Sequence, residues 1–191
     1  MEADHPEKKW LKAYKKGDLA ALGLLVEHFR RPLFSFILNM MPRHGDAEEI
    51  FQETWLRAIR NLPRFREGNF AGWLFRIARN LIIDQIRREA KTVAPLDQEG
   101  QSGIELVPDA ASGPDQQAGS RDLGIRIQTA LAALAPEQRE VFLMRNEAGL
   151  SFKEIARLQE TTLNTALSRM HYALQKLRPL LQEDYDELER G

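Results

Sequence analysis

Thr162, Asn164, Thr165, Ser168 and Arg169 place four short hydrogen-bonding side chains and one cation within a single short stretch. Groups of this kind, presented from the first turns of a helix, can read base edges and grip phosphates of duplex DNA. His171 follows on the same stretch, where a surface or phosphate-facing position is expected. A second set lies in 69–88, NFAGWLFRIARNLIIDQIRR. Here Trp73, Arg76, Asn80, Asp84 and Arg87 recur at steps of three and four, which is one stripe of a helix. An aromatic ring beside arginines can hold single-stranded nucleic acid, stacking bases on the ring and pairing phosphates with guanidinium groups. From Arg57 to Lys91 there are nine Lys/Arg against three Asp/Glu, so this segment is locally basic. The residues leave two plainer readings open. Trp73 can be a partly buried core residue, and Asp84 can pair with Arg87 or Arg88 at small energetic value.

A third set is acidic. Asp46, Glu48, Glu49 and Glu53 gather near the start of a helix, where its dipole favours negative charge. Capping and solubility account for Asp46. Phe51, Gln52 and Glu53 suit a docking surface for a basic protein partner.

Catalytic chemistry finds little support. The chain has no cysteine, which excludes disulfides, thiolate metal sites and a cysteine nucleophile. His44 and Glu48 have i, i+4 spacing, but the four histidines are scattered. No Gly-rich phosphate loop and no nucleophile–base set is recognisable. No metal and no cofactor is expected. A formal net charge of −1 over 191 residues shows that any nucleic-acid contact must come from local patches. No long apolar run could span a membrane, and Met1-Glu2-Ala3-Asp4-His5 is no signal peptide, so a soluble cytoplasmic protein is expected.

The elements that must carry these groups are helical. Alternating strand patterns are absent, and an all-α fold is expected. A short polar helix covers 7–17 and ends at Gly17. Asp18 caps a longer one to about Met41, with Pro32 as a kink. Asp46 caps a helix to Asn61. A loop with Pro63 and Gly68 follows, and Asn69 caps the helix from Phe70 to about Arg88. Residues 89–120 then lose all aromatics and carry six acids against Lys91 alone. Such a stretch cannot bury enough apolar surface to order itself, and a flexible acidic linker is expected. Fully extended it reaches on the order of 100 Å. Helices at 121–134 and 136–148 come next, with Pro136 at a first-turn position and Gly149 as the stop. Ser151 and Glu154 have capping-box spacing, and Thr162 and Thr165 can open a second helix. Together they read as a helix-turn-helix. Leu163, Met170, Leu174 and Leu177, with Ala166 and Leu167, form the expected apolar stripe of the second helix. The acidic tail Glu183–Glu187 is expected to be frayed or solvated.

These residues together resemble a bacterial sigma factor of the extracytoplasmic function (ECF) group of the sigma-70 family. The resemblance is carried by Asp46-Ala47-Glu48-Glu49-Ile50-Phe51-Gln52-Glu53-Thr54-Trp55, by Phe70-Ala71-Gly72-Trp73-Leu74-Phe75-Arg76-Ile77-Ala78-Arg79-Asn80, and by Pro136-Glu137-Gln138-Arg139-Glu140-Val141-Phe142 with the helix-turn-helix. It implies two small helical domains: region two at 7–90 and region four at 121–182, joined by a flexible linker at 91–120. It further implies a non-enzymatic protein that binds RNA polymerase core and directs promoter-specific initiation. Asp46, Glu49, Phe51, Gln52 and Glu53 would face the clamp helices of the β′ subunit. Arg64, Arg66, Phe70, Trp73, Arg76, Arg79, Asn80, Asp84 and Arg87 would contact the −10 element as single-stranded DNA. Thr162, Asn164, Thr165, Ser168, Arg169 and His171 would read the −35 element in duplex form, and the same domain would touch the β flap. An anti-sigma factor is the implied regulator, and a monomer the implied free state. Two positions depart from the family pattern. Glycine is frequent in the turn where Glu160 stands, so a different turn is expected. Leu167 replaces a common basic residue, which removes a phosphate contact and puts the strength of −35 binding in question; a hydrophobic contact within the domain is expected of its side chain, with a partner surface as the alternative. A stand-alone helix-turn-helix regulator binding an operator as a dimer is the competing reading, but no dimerisation heptad is evident. A sigma-like protein turned enzyme or adaptor is a third.

Overall fold

The computed structural model describes residues 6–41, 44–66, 68–92, 124 and 126–188. No strand occurs among the described residues. The linker expected at 91–120 lies outside them, save for Lys91 and Thr92 at its start.

The first unit contains four helices. α1 spans Pro6–Lys15, with proline at the first position where its missing N–H costs nothing. Gly17 ends it at φ +99°. There the Gly17 amide donates to Tyr14 O and the Asp18 amide to Ala13 O, which is a Schellman motif. The Asp18 carboxylate accepts from the Ala20 amide at 3.0 Å, and α2 runs Ala20–Met40. Pro32 lies inside α2. Leu25, Phe29, Leu33 and Phe36 line its buried face at steps of four, four and three. α3 spans Ala47–Asn61 and buries Ala47, Ile50, Trp55 and Ala58. Asp46 stands at its N-cap position but makes no side-chain cap bond, because it sits in the 3-10 turn His44–Asp46 with helical backbone angles. The expected capping role of Asp46 is therefore corrected. A second 3-10 turn, Leu62–Arg64, orders the start of the following loop. α4 spans Phe70–Thr92, and Asn69 caps it by accepting from the Gly72 amide at 3.2 Å. Phe70, Leu74, Phe75, Ala78, Leu81 and Ile82 form its buried face.

The second unit begins with a helical segment at 126–132, here α5. α6 spans Pro136–Asn146, with Pro136 in the first turn, and Gly149 at φ +63° closes the turn after it. α7 spans Phe152–Leu158 and opens with a complete capping box. The Ser151 hydroxyl accepts from the Glu154 amide at 3.3 Å, and the Glu154 carboxylate accepts from the Ser151 amide at 2.8 Å. α8 spans Leu163–Leu188, so the acidic tail expected to fray continues the helix.

The apolar stripe of α8 differs from the expected one. Ala166 and Ala173 are fully buried, Leu177 nearly so, and Met170 is half-buried against the core. Leu163, Leu167 and Leu174 are exposed instead. The helical wheel explains this: 166, 170, 173 and 177 fall in one narrow arc at 100° per residue, whereas the three leucines lie together on one side of it. Small alanines at the centre let α8 approach α6 and α7 closely, and large flanking leucines are left outside. Leu167, 43% exposed, does not pack within the domain.

The two units share one apolar cluster, which continues from Leu25, Phe36 and Phe75 to Val141, Met144 and Leu150. α6 lies against α2, and polar contacts between the units fall on it, on Glu147 just after it and on α7. Arg139 Nη1 donates to Asn39 O at 3.1 Å, while Nη2 donates to Ala132 O at 2.9 Å. Burial lowers the Arg139 pKa from its usual value, and carbonyls near helix ends accept from its two terminal nitrogens. The Ser35 hydroxyl donates to Glu147 Oε1 at 2.8 Å.

Candidate nucleic-acid interface

The loop between α3 and α4 is built around three rings. Phe65 lies 5.7 Å from Phe70 and 5.0 Å from Trp73, and Phe70 lies 5.5 Å from Trp73, centroid to centroid. Such pairs stabilise beyond their buried area, by about 0.5–1.5 kcal/mol each. Phe70 is 2% exposed and anchors the trio in the core, which corrects its expected role as a DNA contact. Phe65 and Trp73 are half-buried. Lys15 of α1 ties the loop down from below, donating to the carbonyls of Phe65 and Arg66 and lying 5.9 Å from the Phe65 ring. Nothing in the local sequence pattern links Lys15 to a loop fifty residues away.

Arg64, Arg66 and Arg76 stand exposed around a cleft of about 560 Å³. Asn61, Asn69, Gly72 and Trp73 also line it from the first unit. Asn61 and Asn69 had no part in the expected −10 set, since a lone amide at a helix end reads as a cap. Asn80, Asp84 and Arg87 continue the exposed stripe along α4. The Asp84 backbone carbonyl accepts from Arg88 Nε at 3.3 Å. Arg79 differs from its neighbours. Its Nε donates to Glu140 Oε1 of α6 at 2.6 Å, and both side chains are largely buried.

The helix-turn-helix presents the other set. The Thr162 hydroxyl accepts from the Thr165 amide at 3.1 Å, and the two hydroxyls lie 2.8 Å apart. Thr162, Asn164, Ser168 and His171 are exposed and Thr165 is half-buried. Arg169 is half-buried and donates to Gln159 Oε1 at 2.7 Å. The turn itself keeps the backbone that glycine would adopt. Glu160 has φ +53°, its amide donates to Arg157 O, and the Thr161 amide donates to Ala156 O. This is again a Schellman motif, with Glu160 at the left-handed position that glycine favours. The expected change of turn is corrected.

The acidic face of α3 exposes Glu48, Glu49 and Gln52. Glu53 is half-buried and accepts from Arg57 Nε at 2.6 Å, and Asp46 is half-buried. Phe51 packs edge-on against Phe34 at 5.7 Å, so most of its ring serves the fold. Leu56, 48% exposed, is the apolar side chain that this face offers outward; its helical phase reads as ordinary surface in sequence. Among the described residues, no group of His, Asp or Glu is placed to hold a metal ion. No helix among them is long and apolar enough to cross a membrane.

An all-helical pair of units with an aromatic–arginine loop in one and a helix-turn-helix in the other defines a bipartite DNA-reading protein. Comparison with known families makes the class specific. Sigma-70 region 2 matches residues 25–92, and Sigma-70 region 4 matches residues 124–177. The chain is 31% identical over 183 residues to the ECF RNA polymerase sigma factor SigW of Bacillus subtilis, spanning 92% of this chain and 97% of SigW. It is 32% identical over 178 residues to the ECF sigma factor SigE of Mycolicibacterium smegmatis, covering 90% of this chain but 66% of SigE. Among solved structures, the sigma factor RpoE of Bartonella quintana, in complex with the anti-sigma factor NepR, superposes with a TM-score of 0.69 at 25% identity. That likeness covers 84% of this chain and 96% of the other. The chain belongs to the ECF group of the sigma-70 family. It is a sigma factor that directs transcription.

Proposed function

We propose that this sigma factor acts as a dissociable, non-enzymatic promoter-reading subunit of RNA polymerase. In this reading residues 7–90 bind core polymerase and open the −10 element, and residues 121–182 read the −35 element and touch the β flap. Residues 91–120 connect them along the RNA exit path, where their negative charge suits a channel built for nucleic acid. The observation that carries the reading is the cleft at the head of α4, where Phe65 and Trp73 stand beside Arg64, Arg66 and Arg76. Rings that can stack an unpaired base next to cations that can hold its phosphates meet the needs of −10 capture. Flipping a base costs a few kcal/mol, and those contacts would offset it. Asn80, Asp84 and Arg87 would extend the single-strand track along α4. Thr162, Asn164, Thr165, Ser168, Arg169 and His171 would face the duplex. Asp46, Glu49, Gln52 and Glu53 would meet the β′ clamp helices, with Leu56 taking the central apolar role first expected of Phe51.

The anti-sigma complex of the Bartonella quintana relative supports an anti-sigma partner for this chain as well. The protein would work in the cytoplasm, with no cofactor, and as a monomer when free. Reconstituted transcription tests the whole reading. Core polymerase supplied with this protein starts RNA at defined sites on a genomic template library, while the protein alone binds the same DNA weakly. Tight operator-like binding by the free protein, without stimulation of core, would replace this reading with that of a stand-alone regulator.

A further inference from the structure

The first turns of α8 hold an apolar side chain among the polar groups that face outward. Leu167 is 43% exposed. Steps of 100° per residue place it in one arc of about 100° with Asn164, Ser168 and His171, all of them exposed. Of the three exposed leucines of α8, it lies farthest from the buried line of Ala166, Met170, Ala173 and Leu177. The guanidinium of this stretch is held elsewhere. Arg169 donates to Gln159 Oε1, and the Gln159 amide donates to Glu140 Oε2 and to the Glu137 carbonyl, so Arg169 is drawn back toward α6 and α7. Lys176 and Arg178 are exposed but stand beyond the third turn of the helix. The arc that opens α8 therefore offers an amide, a hydroxyl, an imidazole and an isobutyl group, with no lysine or arginine.

Such a set has little to hold a phosphate and suits base edges. In the major groove an asparagine pairs with adenine N6 and N7, and an apolar side chain meets the C5-methyl group of thymine. Leu167 follows Asn164 by about 4.5 Å along the helix axis, on the order of one base-pair step. We propose that Leu167 is a specificity-determining residue of −35 recognition, which reads the methyl group of a thymine next to the base pair that faces Asn164. The inference rests on the duplex-reading assignment proposed above and deepens it. The groove supplies an apolar surface for a leucine that its own domain leaves in water. Asn164, Ser168 and His171 beside it fit a groove lined with donors and acceptors better than an apolar protein surface.

A promoter found by reconstituted transcription supplies the −35 duplex, and binding of holoenzyme made with the full chain is read by fluorescence anisotropy. Each thymine of the element is replaced in turn by deoxyuridine, which deletes the methyl group and keeps every hydrogen bond. The parent should lose about fourfold in affinity at one of these positions, the size expected for one buried methyl. Leu167→Ala should bind the thymine duplex more weakly and show no further loss at that deoxyuridine. Leu167→Lys should bind through a phosphate instead, ignore the methyl group and steepen the salt dependence by about one released counterion. A −35 element indifferent to deoxyuridine throughout overturns the proposal, as does a full deoxyuridine loss retained in Leu167→Ala. If that variant keeps the loss and weakens the binding of core polymerase, Leu167 serves a protein surface. Asn164→Ala and Ser168→Ala separate the two levels of argument. Where they weaken duplex binding but Leu167→Ala keeps the deoxyuridine loss, only the methyl reading fails. Where they leave duplex binding unchanged and the parent is indifferent to deoxyuridine, the duplex-reading assignment fails with it.

Discussion

Glu160 shows how one side chain can tolerate a backbone built for another. Two helices in this chain end in the same motif, α1 with Gly17 at the left-handed position and α7 with Glu160. A left-handed non-glycine residue costs about 1–2 kcal/mol. Glu160→Gly should therefore stabilise the protein by about 1 kcal/mol, after the greater unfolded-state freedom of glycine is subtracted. Thermal unfolding measures it, and an unchanged or lower midpoint would show that Glu160 gains something from its surroundings. On α3, Glu53 already pairs with Arg57, and the proposed docking to core polymerase would draw on the same charge. Glu53→Lys reverses that charge and places it beside a cation. Core polymerase affinity should fall at least tenfold by fluorescence anisotropy, with the unfolding midpoint nearly unchanged. Equal affinity would remove Glu53 from the docking surface.

The capping box of α7 was fully legible as a spacing, because Ser151 and Glu154 interact locally and need no tertiary context. Its second duty was not. Burial pushes the Glu154 carboxyl upward. The Ser151 hydroxyl and amide, the Asn69 amide and the Arg157 charge outweigh that effect, and the net shift is below the usual 4.5. A carboxyl with a lowered folded-state pKa contributes stability above its unfolded value and loses it as pH falls through the folded one. Ser151→Ala should cost about 1 kcal/mol at neutral pH. It should also narrow the window below pH 4.5 in which the protein resists acid, as followed by circular dichroism on acid titration. An unaltered acid limb would mean that Asn69 and Arg157 suffice. The buried stripe of α8 is not legible in sequence for a related reason. Leucine and alanine both count as apolar, and only the approach of α6 and α7 decides which of them the interface can admit.

The joining of the two units is the main feature that no window of sequence could display. Arg79 and Glu140 lie 61 residues apart in the chain, and nothing near either one marks it as half of a buried pair. Glu147 lies at the same junction. Burial is the larger influence on it and raises its pKa above 4.5, against the lowering effect of the Ser35 hydroxyl. An acid with a raised folded-state pKa gives its full stability below the unfolded value and loses it as pH rises through the folded value. Glu147→Gln keeps an acceptor for Ser35 but has no charge to desolvate. It should stabilise the packed form at pH 7 and reduce the fall in stability above pH 4.5, as read by urea unfolding across pH. A destabilised variant at pH 7 would show that the charged carboxylate is favourable there.

Sequence settled the features that arise from contacts a few residues apart. These were the helical class, most helix ends, the capping box, the helix-turn-helix and the motifs that mark the family. Helical periodicity and capping chemistry are local, so the information sits within a few turns of chain. Tertiary structure alone decided which apolar residues of α8 face inward, that Phe70 is an anchor and Phe51 mostly a packing residue, and that Lys15 secures the α3–α4 loop. It also decided that Arg79 and Arg169 converge on Glu140. Those outcomes depend on how whole helices approach one another, where burial and desolvation act on pairs that the chain brings together only when folded.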